Sequence, residues 1–501
     1  MNLYKSFSIR ILSVVMLTVT SLIFSSCKKN VEVDTPPTKT STESAYKDNT
    51  TATAVLTGIY AQMSDNYFST LNLPAISLLE ELSADNLVMY DITVNDAFRS
   101  YYQNSLEPQY LASGTPYWTK VYGMLYNINA SIAALTNNTD LKPAVSKRLL
   151  GEAYFMRAFC YFYLTNIFGD VPLILTTKYD ENSHLARTPT ADVYKQINSD
   201  LTQAEGLLDN SYVATIDVTK ISSERTRPNL GTVNALQARV YLYQKNYALA
   251  EAAATKVINQ SDRYSFTNLN AVFLKNSSET IWALQPVNNN FNTREGGLFI
   301  LNSDGPNGDH PLLISSSLMS SFEPGDARKD SWIGILTEGT DTFPYPAKYK
   351  ISFSDLPDDS KFENLKEYAI VFRLAEQYLI RAEARNEQGN TAGSVEDLNA
   401  LRTRSRAVAT ASVPNPLPNL SGSLTETQLR PIILNERRVE LFSEWGHRWF
   451  DLIRTGNIDA AMITAESYKG GTWAHYKSLF PIPASDILLN PALTQNSGYT
   501  N

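Results

Sequence analysis

Apolar residues recur at helical spacing along most of this chain. Thr53–Ser64 carries them on one face, and in Tyr117–Leu135 the positions Val121, Leu125, Ile128 and Ile132 form a stripe. That is the i, i+3, i+4 pattern of a helix half buried against a core. Between Lys147 and Asn166 the stripe widens until KRLLGEAYFMRAFCYFYLTN is apolar nearly all round. Such a segment belongs inside a bundle rather than on its surface. Gly169-Asp170-Val171-Pro172 ends it, with glycine in the turn and proline beyond. Val193–Leu208 predicts a further amphipathic helix after Thr188-Pro189.

Two later segments share one plan. Leu236–Ile258 reads as two short helices around Gln244-Lys245-Asn246-Tyr247, and Leu379–Leu401 repeats it around Gln388-Gly389-Asn390. Ala238 and Ala382 each stand six residues before the turn glutamine, and Ala250 follows the first turn, small residues where paired helices must approach closely. Both segments resemble tetratricopeptide helix–turn–helix units, and Arg157–Phe168 resembles a third, degenerate one. Residues 262–365 differ in texture. They are rich in Asn, Ser, Gly, Pro and isolated aromatics, with strand-like runs at Thr280–Leu284 and Leu298–Leu301. The expectation is an all-α dominated chain: a tetratricopeptide-like scaffold with a loop-rich lobe and a few short strands. Its body divides into a helical region 46–260 and a C-terminal region 261–501, packed as one unit.

The N-terminus reads as an address. Lys5 and Arg10 precede an apolar run from Ile11 to Phe24, shorter than the ~20 residues that span a bilayer comfortably. Ser25-Ser26-Cys27 follows, where a signal peptide of residues 1–26 would be cleaved. This resembles the lipobox of bacterial lipoproteins, with Phe24 in place of the usual Leu, and makes Cys27 the lipidated first residue. The alternative is an ordinary secretory signal with an incidental cysteine. Residues 27–45 are polar and contain Pro36-Pro37, the composition of an extended tether. Cys160, the second of two cysteines, falls on an apolar helix face and reads as core.

Composition narrows the function classes. The 501 residues carry 43 Lys+Arg against 51 Asp+Glu, a net charge of −8, which argues against nucleic acid as a ligand. With 43% hydrophobic and 19% charged residues the chain is globular rather than disordered. Tyrosine (28) outnumbers phenylalanine (20), which suits half-buried surfaces that end in a polar group, sugar-binding and protein-binding ones among them.

The C-terminal third then carries a series of strings in order. These are Phe322-Glu-Pro-Gly-Asp-Ala-Arg328, Phe372-Arg-Leu-Ala-Glu-Gln-Tyr-Leu-Ile-Arg-Ala-Glu383 and Asn435-Glu-Arg-Arg-Val-Glu-Leu441. Glu444-Trp-Gly-His-Arg-Trp-Phe-Asp-Leu452, Arg454-Thr-Gly456, Leu479-Phe-Pro-Ile-Pro483 and the ending Asn490–Tyr499 follow. Together with Gly151–Pro172 and Leu236–Ile258 they resemble the SusD/RagB family of outer-membrane nutrient-binding lipoproteins. The resemblance implies a tetratricopeptide-like fold, lipid-anchored at the outer membrane and facing outward. It further implies a non-catalytic binder of glycan or other oligomeric nutrient that sits on a SusC-like TonB-dependent β-barrel transporter.

The same sequence holds residues that suggest other chemistries. His447 and Asp451 lie four apart and invite a catalytic reading; the structural reading makes Glu444–Arg448 and Arg437–Glu440 local ion pairs on the same segment. Glu444-x-x-His447 and Glu181-x-x-His184 echo di-iron pairs, but the second lies in loop-like sequence. Asn302–Asp309 has the oxygens of a calcium loop without its register and reads as a turn. No nucleophile elbow, phosphate loop or zinc signature occurs, so no catalytic residue, cofactor or metal is assigned. An all-helical glycoside hydrolase and a tetratricopeptide-type protein-binding adaptor remain the alternative classes. For a ligand, sugar rings stack on aromatic planes and their hydroxyls need polar forks. Two loop regions combine these, 90–104 and 282–294, and the candidate ligand-binding residues are Phe98, Arg99, Tyr101, Tyr102, Asn289 and Phe291. The competing reading is that each ring packs beneath its own loop.

Overall fold

The computed structural model describes residues 42–65, 76–109, 115–287, 292–352 and 364–500. Cys27, the signal segment and nearly all of the tether lie outside them. Residues from Tyr46 onward form one unit. Its main helices are α1 (Asn49–Asp65), α2 (Ile76–Ser83), α3 (Asp96–Tyr102), α4 (Thr115–Leu135), α5 (Pro143–Phe168) and α6 (Thr190–Leu207). The two repeat-like hairpins are α7 (Leu230–Tyr243) with α8 (Tyr247–Ile258), and α9 (Leu374–Glu387) with α10 (Thr391–Ser405). They are followed by α11 (Glu426–Leu441), α12 (His447–Arg454) and α13 (Ile458–Lys469). Among the described residues strands pair only in twos, all antiparallel: β1 (Leu87–Met89) with β3 (Leu312–Ile314), β2 (Thr280–Leu284) with β6 (Ala369–Arg373), and β4 (Ile333–Glu338) with β5 (Asp341–Pro346).

The all-round apolar segment is α5, and it runs through the interior. Phe155, Phe159 and Phe162 are fully buried, and Gly169 closes the helix at φ +74 with its N–H on Thr165 O. Cys160 is buried beside them, and burial pushes its thiol up to about 12, so it stays protonated. Strands β2 and β6 are buried on both faces, which is why they read as continuous apolar runs without alternation. Trp282 on β2 stacks on Phe372 of β6 and meets Phe155 and Phe159 edge-on, its indole N–H donating to Thr226 O at 3.1 Å.

The repeats match down to their caps. Asn246 and Asn390 each start the second helix of a hairpin by accepting a backbone N–H three residues on, from Leu249 and Gly393. The residue before each cap is left-handed, Gly389 at φ +79 in one hairpin and Lys245 at φ +56 in the other. Ala238, Ala250, Ala254 and Ala384 then let α7, α8 and α9 pack closely.

One expected strand is absent. Leu298–Leu301 is not extended at its start: Arg294–Phe299 is a short helix, because the Thr293 hydroxyl accepts from Gly296 N–H and caps it. A Cβ at Gly296 would run into Ile351 O, so glycine permits the close approach. The hairpin β4–β5 lies within the loop-rich lobe, residues 262–365.

Candidate ligand surface

The structure does not assemble the six proposed ligand-binding residues on one open face. Asn289 and Phe291 lie outside the described residues. The segment Asp96–Tyr102, read as loop, is helix α3, capped by the Asn95 side chain accepting from Phe98 N–H at 3.0 Å. A helix of this length turns its i, i+3 and i+4 positions to one side, and those positions are Phe98, Tyr101 and Tyr102. All three are buried. Tyr101 meets Phe480 edge-on, and the Tyr102 hydroxyl donates to Tyr468 O at 3.0 Å under the Lys469 ammonium. Their rings fill the core and offer no stacking plane to solvent, which corrects the expectation for this helix. Arg99 is partly exposed and held by Asp96 at 2.7 Å.

A different pair meets at the surface: Tyr90, from the first of the two regions, and Phe343 of β5. Tyr90 is 52% exposed and meets Phe343 of β5 edge-on, ring centroids 5.7 Å apart. The position is fixed by pairing: β1 runs antiparallel to β3, and Tyr90 N–H extends that pairing to Pro311 O. Phe343 and Tyr345 share the face of the hairpin that lies over Leu336 and Gly334, and the Tyr345 ring occupies the space a Gly334 side chain would need. Asp91 and Asn307 lie in the flanking loops. Asn307 Oδ1 accepts from Asp309 N–H and His310 N–H, and Asn302 Oδ1 from Asp304 N–H, so this stretch spends its oxygens on its own backbone as a turn does. Phe343 was missed; its one signal was the alternation Asp341-Thr-Phe-Pro-Tyr-Pro, which reads as a strand with aromatics on one face.

Two open clefts among the described residues are lined differently. A shallow cleft of about 280 Å³ lies beside Tyr60, Arg227 and Gln285, but Arg227 is spent on Glu152, Thr57 and the Thr215 carbonyl. A cleft of about 240 Å³ opens between the hairpins at Lys245, Tyr247, Glu387 and Arg430.

The charged C-terminal strings are internal. Glu440 accepts from Arg328, Arg373 and Arg404, and although burial alone would raise its carboxyl, these three cations hold it well below the usual range. Glu444 accepts from Arg373 and Lys348, and Arg437 pairs with Asp451. Arg448 pairs with Asp85 at 2.7 Å, and Arg438 joins it. The local pairs Glu444–Arg448 and Arg437–Glu440 therefore do not form. The helix breaks at Phe442–Gly446, where Ser443, Trp445 and Gly446 are all left-handed, so Glu444 and Arg448 share no helix face. His447 and Asp451 lie on one helix but serve different partners. Burial and the surrounding cations Arg239 and Arg437 keep His447 neutral, its Nε2 3.9 Å from Glu376.

Comparison with known proteins places this architecture. Residues 322–499 match the model of the SusD family, and residues 34–242 match a second family described as starch-binding and associating with the outer membrane. SusD-like protein P38 of Formosa agariphila is 25% identical over 100% of both chains, and starch-binding protein SusD of Bacteroides thetaiotaomicron is 25% identical over 75% of this chain and 77% of its own. The crystal structure of a SusD superfamily protein from Bacteroides vulgatus superposes with a TM-score of 0.75 at 21% identity, covering 91% of this chain and 100% of that one. Two family models in tandem, relatives of matching length and the shared helical fold lead to one conclusion: the chain belongs to the SusD/RagB family.

Proposed function

We propose that this protein is an outer-membrane lipoprotein that binds glycan, or another oligomeric nutrient, at the cell surface and delivers it without chemistry to a SusC-like TonB-dependent transporter. Family membership supports the class, and the exposed Tyr90 ring braced by Phe343 carries the reading to this chain. The ring offers an apolar face beside the Asp91 loop, the combination a sugar needs. The buried carboxylates of the C-terminal strings are bound to arginines, which supports binding rather than acid–base work there. A glycan array followed by calorimetry tests it. Tyr90→Ala should weaken the best array ligand about tenfold, roughly 1.4 kcal/mol, with the melting temperature unchanged. Equal affinity in both proteins would move the site elsewhere, and turnover of the bound glycan would favour the hydrolase.

The anchor is assigned to Cys27, where several acyl chains would hold what a single one holds only marginally. Wild-type protein should appear in the detergent-extracted membrane fraction with a TonB-dependent barrel, labelled by a fatty-acid analogue. Cys27→Ala should lose the label and leave that fraction. Retention of the label by the variant would exclude Cys27 as the acylated residue.

A further inference from the structure

The hairpin β4–β5 has two edges, and only one is guarded. Ala347 N–H donates to Trp332 O at 2.8 Å, which sets the alternation of the ladder. With the register Gly334↔Tyr345, Leu336↔Phe343 and Glu338↔Asp341, these pairs exchange hydrogen bonds, and the intervening pairs point outward. On β5 two of the outward positions are Pro344 and Pro346, which have no N–H to offer. On β4 the outward positions include Ile335 and Thr337, whose N–H and C=O groups have no partner among the described residues. Neither proline, charge nor bulge interrupts Ile333–Thr337, and Ile335 is 54% exposed. A bare edge of this kind invites another strand.

The hairpin tip adds a charge argument. Gly339, at φ +60, takes the first central position of a two-residue turn, which sets Glu338 directly opposite Asp341. Like charges in that position repel. Both side chains are exposed and neither has an ion-pair partner among the described residues, although elsewhere this protein pairs its acids densely. A cation arriving with the added strand would relieve the pair.

We infer that the outer edge of β4 is an acceptor for an extended polypeptide strand, antiparallel to β4, with β-branched residues beside Ile335 and an Arg or Lys at its N-terminal end against Glu338 and Asp341. Main-chain bonds to Ile335 and Thr337 supply the affinity, and the charged tip fixes direction and register. This goes beyond nutrient binding at Tyr90, since the hairpin packs on Tyr90 by its Phe343 face and presents β4 by its edge.

The test uses full-length protein and the synthetic peptide Arg-Val-Thr-Val-Thr-Val. Hydrogen exchange should slow by about tenfold or more at the Ile335 and Thr337 amides when the peptide is added. Ile335→Pro removes one outward N–H at a position where the opposite strand already tolerates proline, and should abolish this binding with the circular dichroism spectrum unchanged. Should that variant fail to fold, the same peptide N-methylated on alternate residues asks the question of the wild-type protein and should not bind. Full binding by the N-methylated peptide, or unaltered exchange at both amides, overturns the inference. So does protection that appears without peptide and grows with protein concentration, which would make a second copy of this chain the occupant. Loss of glycan binding in Tyr90→Ala bears only on the nutrient site, so the two readings fail separately.

Discussion

Replacing Arg373 by methionine is expected to cost about 3–5 kcal/mol of folding stability, because it breaks a buried ion pair from one side. The Arg373 side chain is 2% exposed and uses its whole fork. Nε and Nη2 donate to the Glu444 carboxylate at 2.7 and 2.8 Å, Nη1 to Glu440 at 2.6 Å, and Nη2 also to the Glu440 carbonyl at 2.7 Å. It thereby ties the end of β6 to the C-terminal turn of α11 and the left-handed turn after it. Methionine fills the volume but leaves two carboxylates short of a cation, with Lys348 alone at Glu444 and Arg328 and Arg404 at Glu440. Arg373→Lys should fall between, since an ammonium keeps the charge and loses the planar fork. Urea midpoints at constant slope measure both. A loss below about 1 kcal/mol for the methionine variant, the size of a surface pair, would mean that the remaining cations suffice.

Asp85 should set much of the acid limb of stability. Burial alone would raise its carboxyl, but hydrogen bonds from Arg448 and the charge of Arg438 bring it down to about 2, from an ordinary 3.8. A carboxylate depressed in the folded state stabilises above its unfolded value and loses that contribution as the pH falls through the folded value. The window here is pH 4 to 2, and the contribution is roughly 2 kcal/mol at neutral pH. Asp85→Asn should therefore be clearly destabilised at pH 7, where Arg438 and Arg448 lose their shared carboxylate, and should approach the wild type near pH 2. Parallel stability curves through that window would show that Asp85 is not the titrating group. Glu295 works the opposite way: burial raises it to about 7, so its contribution is full below pH 4.5 and is lost as the pH rises toward 7, while the unfolded carboxyl ionises and the buried one keeps its proton.

The helices were legible because period and burial agree. The apolar stripe of α4, the all-round apolar α5 and the Gln-x-Asn turns of both hairpins each carry local information sufficient for their element. What misled was information that is not local. Glu444 and Arg448 have good spacing for a helical pair, yet the chain breaks between them and both find partners far away, at Arg373 and Asp85. The aromatics of α3 looked like a loop platform because Asn95-Asp96 reads as turn. The same residues cap a helix, and once a helix forms its three rings share a side and go inward. Phe343 escaped because pairing of β5 with β4, and contact with Tyr90, depend on residues the local pattern does not connect.

The end of α2 carries a consequence for the order of events in biosynthesis. Its last carbonyls, at Leu82 and Ser83, accept from the buried ammonium of Lys469, and Asp85 just beyond waits for Arg438 and Arg448. Leu82 and Lys469 stand 387 positions apart. At 5–20 residues per second, roughly 20–80 s pass between their syntheses. Through that interval the end of α2 and Asp85 lack these cations, although β1 and the Tyr90 amide can already pair with β3 and Pro311. The carbonyls and the carboxylate that close this corner are therefore among the last groups of the molecule to find their partners.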